Sequence, residues 1–205
     1  MKIRVIYTRT IPAMLVFLTF ILNGCTWLFY DRYKVYEDEF TNSTKSIARM
    51  ELRPLERKTE IGNAHIIFER TKSLRSDKYE AYCVVARSSS SFTAEQRGFM
   101  KIDGTNYEIN IGNITSEQKM STETTASAYT TSDSTSITTG TYTDTDTRLW
   151  IDDKFKFSLT AQMLESLRTS GELILRFYFG PIPATYRIKG YDLMFLKKAM
   201  ADQNI

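Results

Sequence analysis

Metal- and thiol-based chemistry has little to work with in this chain. Two cysteines and one histidine occur in 205 residues, too few for the common zinc sites and for a metal-ligand cluster built on imidazole. No GxSxG, Walker loop, HExxH or GxGxxG is present, so the usual signatures of nucleophile elbows, phosphate cradles and dinucleotide sites are missing. There are four prolines and nine glycines, which excludes a long Pro- or Gly-rich linker. No repeat of 20–50 residues is visible, so a solenoid is not expected. The charge excess of +3 comes from 27 basic and 24 acidic residues. Lys2, Arg4 and Arg9 all precede Cys25, and without them the remainder carries 24 of each sign. A basic partner-binding surface therefore does not follow from the overall charge, and no nucleic-acid partner is expected.

What is present begins with a targeting pattern. The three basic residues lead into an apolar stretch over residues 11–22, interrupted early by Pro12. Leu22-Asn23-Gly24-Cys25 follows, giving the three-part organisation of a secretory signal. These four residues resemble the bacterial lipobox, in which a cysteine follows a small residue and a leucine stands three positions upstream. The resemblance implies cleavage before Cys25, a thioether to diacylglycerol on its sulfur and acylation of its amine. The expected partner is then a membrane, reached through the lipid anchor, and the expected location is the outer membrane or the periplasmic face of the envelope. An uncleaved anchor competes with this. Residues 11–30 form an almost uncharged run long enough to span a bilayer, with Trp27, Phe29 and Tyr30 as an interfacial belt.

The expected organisation is a signal peptide over residues 1–24, a lipid anchor and tether over 25–40, and one globular domain over 41–205. The domain reads as α+β and mostly antiparallel, sandwich-like, with two helices in its C-terminal half. "KSIARMELRPLE" sets Ala48, Met50 and Leu52 against Ile47, Arg49, Glu51 and Arg53, the period of a half-buried strand. "AHIIFER" and "YEAYCVVARS" are further β-rich runs, and Cys83 within the second reads as a small buried hydrophobe. "FMKIDGTNYEINI" reads as a hairpin turning at Asp103-Gly104. Between Lys45 and Lys78, nine basic and five acidic residues alternate with apolar ones, the pattern of a solvated strand face.

Residues 121–147 stand apart. Seventeen of the twenty-seven are Ser or Thr, so few large apolar groups are available to a core. Threonines at 139, 141, 143, 145 and 147 alternate as they would along a strand. A polar β-arm and a disordered loop both satisfy this composition. Beyond it, "TAQMLESLRTSG" predicts a helix with Thr160 as N-cap and Gly171 as its stop. "ELILRFYF" predicts a strand, "GPIP" a break, and "YDLMFLKKAM" a closing helix with Leu193, Leu196, Met200 and Tyr191 inward. The stretch from "SLTAQ" to "LKKAM", with Gly190 before the last helix, resembles the C-terminal layout of the invasion-associated locus B family. That resemblance implies an exported β-sandwich and nothing about activity.

Chemical candidates are sparse. His65, opening a strand in "NAHIIFER", reads as structural or exposed. "SEQK" at 116–119 fits the S-x-x-K spacing of serine acylases, but no K-T-G or S-D-N accompanies it. Asp144, Asp146, Asp152 and Asp153 form the one acidic cluster to weigh. It reads as solvated edge charges, with cation binding or glycoside hydrolysis as the chemical alternatives. No catalytic, cofactor-binding or metal-ligating residue is assigned, and Cys25 is the one modification site. The functional expectation is a non-enzymatic, membrane-anchored envelope lipoprotein that binds a protein or surface polymer, the Ser/Thr-rich segment being the candidate contact element. A periplasmic hydrolase using the carboxylates between Asp144 and Asp153, or a single-pass anchored envelope protein, is the alternative.

Overall fold

A computed structural model describes residues 32–56, 60–132 and 137–201. Among these residues, ten strands and two helices form an α+β domain dominated by antiparallel pairing, as the alternation predicts. The strands are β1 (Tyr33–Asp38), β2 (Ser43–Leu52), β3 (Ile61–Lys72), β4 (Asp77–Ser88), β5 (Ala94–Ile102), β6 (Thr105–Asn110), β7 (Gly112–Ser132), β8 (Ile137–Ser158), β9 (Leu173–Phe179) and β10 (Ile182–Ile188). Helix α1 (Ala161–Thr169) lies between β8 and β9, and α2 (Tyr191–Met200) closes the described chain. Six strands pair in the order β1-β2-β3-β4-β8-β7, and four in the order β10-β9-β5-β6. Residues 33–38, placed in the tether by sequence, are therefore the edge strand of the larger sheet. The sheet starts there because Tyr33 to Asp38 run antiparallel to Ala48 to Ser43.

The two sheets enclose one apolar core. Ala48, Met50 and Leu52 of β2 face it together with Ala64, Ile66 and Phe68 of β3 and Ala81, Cys83 and Val85 of β4. From the other sheet come Met100 and Ile102, then Leu173, Leu175, Phe177 and Phe179, then Ala184, Tyr186 and Ile188. Each set follows the two-residue strand period, so local alternation dictates the inward face. Aromatic rings join the layers. The Phe155 and Phe177 centroids lie 5.0 Å apart at 73°, and Phe177 reaches Tyr186 at 6.0 Å. The Phe155–Phe177 contact across the layers is edge to face, a geometry that adds to plain area burial, while Phe177 and Tyr186 are tilted neighbours within one sheet.

Bulges reset the phase of individual strands. Between Ile61 and Ala64 the β3–β4 register shifts, which turns both of these residues inward although they are three apart. Tyr186 takes advantage of the irregularity: its hydroxyl donates to the Gly62 carbonyl at 3.0 Å, tying the sheets together. A second shift lies between Ala94 and Gly98 on β5. Here glycine is required by space, since a Cβ at Gly98 would stand 2.9 Å from the Arg176 carbonyl oxygen.

Turns and caps agree with sequence in part. Asp103 and Gly104 both take positive φ, 42° and 95°, as a two-residue hairpin turn between β5 and β6 demands. The Thr160 hydroxyl accepts from Met163 N–H at 3.3 Å, capping α1. Gly171 is not the stop of that helix. Ser170 ends it in extended backbone, donating through its N–H and hydroxyl to the Leu167 carbonyl, while Gly171 N–H is taken by the Asp103 carboxylate at 3.0 Å. Helix α2 buries Leu193, Leu196, Ala199 and Met200 against β2 and β3. Tyr191, expected inward, is 66% exposed, because the buried stripe starts two residues later.

Candidate functional site

Cys25, the lipidation residue expected from sequence, lies outside the described residues, and so does the rest of the signal segment. Among the described residues, no helix is long and apolar enough to cross a membrane. Cys83 sits in the core at 1% exposure, and burial pushes its thiol well above the usual range. A thiol held protonated in this way is a poor nucleophile.

The acidic cluster comes apart in three dimensions. Asp152 and Asp153 are adjacent on β8 and so face opposite sides of the sheet. Asp152 accepts from Trp150 Nε1 at 3.0 Å on the outer side. Asp153 is fully buried, contrary to its reading as a solvated edge charge. Its carboxylate accepts from Arg87 Nε at 2.9 Å, Ala94 N–H at 2.9 Å and Ser116 Oγ at 2.7 Å. Asp146 pairs with Arg148 at 2.9 Å, and Asp144 is exposed further along the same strand. Asp152 stands six positions along the strand from Asp146, about 20 Å, so those two carboxylates share no site. Nor does "SEQK" assemble: Ser116 is held by Asp153, whereas Lys119 pairs with Glu117 on the other face. His65 is exposed on β3, 4.0 Å from Glu51. No group of three or more His, Cys, Asp or Glu suited to a metal ion occurs among the described residues.

The Ser/Thr-rich segment is a β-arm. Strands β7 and β8 pair continuously from Thr115↔Lys154 to Ser132↔Ile137. Strand β4 accompanies β8 only as far as Ser88↔Trp150. Past that point the hairpin leaves the sheet as a two-stranded ribbon of thirteen pairing positions, about 40 Å long. β7 is the last strand of its sheet, so both ribbon edges are open among the described residues.

The two faces of the ribbon differ. Cross-strand pairs Met120↔Leu149, Thr122↔Thr147, Thr124↔Thr145, Ala126↔Thr143 and Ala128↔Thr141 share one side. That side carries no charge and continues the core-facing side of the sheet, since Leu149 and Thr147 have the parity of Phe155 and Phe157. Met120 is 67% and Leu149 49% exposed. The opposite side carries Glu123, Asp144, Asp146 and Arg148 and continues the solvent face. The salt-bridged Glu117 at its base is drawn down to about 2 by hydrogen bonds from Lys119 and Lys154.

A second feature lies on the outer face of the four-stranded sheet. A cleft of about 500 Å³ is floored by Phe99, Ile174 and Tyr178 and bordered by Lys101, Asn106, Arg176 and Glu56. Phe99 and Tyr178 meet edge to face at 6.1 Å. The segment after β2 forms one wall: Leu55 N–H donates to the Thr185 carbonyl at 2.8 Å, and Glu56 accepts from Thr185 N–H at 2.9 Å and Thr185 Oγ1 at 2.7 Å. Burial pulls the Glu56 carboxyl upward, but the Thr185 hydrogen bonds and Arg176 outweigh it and leave it below its ordinary range. Arg176 donates through Nε to Thr185 Oγ1 at 3.0 Å. These outward positions follow the strand alternation. What no local signal announces is that neither helix covers this face.

Comparison of the chain with protein-family models, with curated proteins and with solved structures finds no match. The likeness to the invasion-associated locus B family thus rests on the C-terminal pattern alone.

Proposed function

We propose that this chain is a non-enzymatic binding module of the cell envelope, anchored through lipid on Cys25 at the outer membrane or the periplasmic face, and that the β-arm is its contact element. The observation that carries the reading is the arm: about 40 Å of paired backbone with open edges and one charge-free face. A free two-stranded ribbon is marginally stable in water. Adding a partner strand to either edge, or a partner surface to the threonine face, satisfies backbone groups and covers Met120 and Leu149. The ribbon supplies reach, and the sandwich supplies a rigid base.

The anchor follows the same logic. One acyl chain gives marginal, reversible membrane binding, at about 0.8 kcal/mol per buried methylene, so stable attachment takes a second chain. Diacylglycerol with an acylated amine provides it. Cys25→Ser is expected to abolish incorporation of a clickable palmitate and to leave a larger, uncleaved precursor. Equal labelling of wild type and variant would refute lipidation. Thr26 follows the cysteine, and outer-membrane fractions are expected to hold the mature protein. The contact role is tested by cross-linking from the threonine face at Thr124.

A further inference from the structure

The cleft on the outer face of the four-stranded sheet is separate from the arm and carries its own chemistry. Pairing brings Lys101 opposite Ile174 and Phe99 opposite Arg176, which makes Lys101 and Arg176 diagonal neighbours on one face. Among the described residues, the Lys101 ammonium has no hydrogen bond or ion pair, and the Arg176 guanidinium hydrogen-bonds through Nε alone while its charge acts on Glu56. Two cationic groups thus border a floor of Phe99, Ile174 and Tyr178, with the Arg97 guanidinium 5.7 Å from the centre of the Phe99 ring. Across the cleft, Glu56 is fixed in place by Thr185 with acceptor capacity left over, since each carboxylate oxygen has a second lone pair. The Asn106 amide offers a donor and an acceptor at the rim.

A ligand that fits must therefore supply an anionic group, hydroxyl-type donors and a flat apolar face. We infer that the cleft binds a carboxylated saccharide, its carboxylate between Lys101 and Arg176, its hydroxyls toward Glu56 and Asn106, and a sugar ring against Phe99 and Tyr178. Nucleic acid also brings a flat face and donors, but its repeated phosphates call for a longer run of cations than Lys101 and Arg176 supply. An extended peptide pairs by backbone at a sheet edge, whereas a ligand lying across this face meets side chains alone. The volume is that of an ordinary small-ligand site, enough for one or two sugar units of a longer polymer.

The test is calorimetric titration of the full lipidated chain in detergent micelles with trigalacturonate, maltotriose and triglutamate as probes. Trigalacturonate is expected to bind at least tenfold more tightly than either of the others. Its Kd should rise at least tenfold in Arg176→Gln and in Lys101→Gln and stay unchanged in Arg187→Gln, whose guanidinium already pairs with Glu172 at 2.7 Å. In the unmodified chain, the ring resonances of Phe99 and Tyr178 should shift on titration, a readout independent of any variant. Absence of trigalacturonate binding, an unchanged Kd in both cleft variants, or still rings would overturn the assignment. Equal binding of maltotriose would remove the anionic requirement, and equal binding of triglutamate would make the ligand a peptide; either result overturns it too.

Discussion

Asp153→Ala is expected to destabilise the domain by about 3–5 kcal/mol, the cost of breaking a buried ion pair by removing one partner. The side chains of Asp153 and Arg87 are 0% and 5% exposed, with Asp153 Oδ2 2.9 Å from Arg87 Nε. Removing the carboxylate also strands Ala94 N–H and Ser116 Oγ, which donate to it from β5 and β7. The one carboxylate thus gathers β4, β7, β8 and the start of the second sheet. Arg87 would keep its bond to the Ser91 carbonyl at 2.7 Å, which does not neutralise its charge. Asp152→Asn, one residue away on the opposite face, should cost less than about 1 kcal/mol, as surface substitutions do. The apolar pair Arg87→Met with Asp153→Leu should recover part of the loss, because no charge is then left buried alone. Urea unfolding midpoints decide the matter. Equal midpoints for the Asp153→Ala and Asp152→Asn variants would contradict the assignment of the buried side.

Phe177→Ala should cost about 3–5 kcal/mol, the range for deleting a buried phenyl group. Phe177 has no exposure and touches rings from both layers: Phe155 at 5.0 Å, Phe157 at 6.3 Å and Tyr186 at 6.0 Å. Its neighbours are themselves tied by strand pairing, so the void cannot close without shifting a sheet. For a domain of this size the loss corresponds to a melting temperature lowered by about 6–20 °C. Leu74→Ala is the matched control, being 88% exposed in the β3–β4 turn, and should leave the melt in place. A Phe177→Ala melt as high as the control's would place the aromatic cluster outside the core.

Much of this architecture is written locally. The alternation in β2, the Asp103-Gly104 turn and the Thr160 cap are each decided within a few residues, by side-chain period, positive φ and a hydroxyl acceptor. The burial of Asp153 follows from the same rule. Phe155 and Phe157 of "DDKFKF" fix the inward parity of β8, and counting back by two reaches Asp153; Ala81, Cys83 and Val85 lead likewise to Arg87. In the Asp152-Asp153 dipeptide, parity and not composition decides which carboxylate is buried. Other features lie beyond local signals. Bulges at Ile61/Ala64 and Ala94/Gly98 break the count within a strand. The partition into two sheets depends on long-range pairing, and so does the bare outer face that makes the cleft. The composition of the arm suits both strand and loop, because threonine supplies β propensity without apolar burial. Pairing of β7 with β8 resolves it as a ribbon.

The contact role of that ribbon is the central claim, and site-specific photo-cross-linking in the cells that make the protein tests it most directly. A benzophenone amino acid at Thr124, in the middle of the charge-free face, should yield a discrete higher-mass adduct on illumination. The same group at Lys189, exposed in the turn before α2, should yield none. No adduct from Thr124, or the same adduct from both positions, would contradict the account.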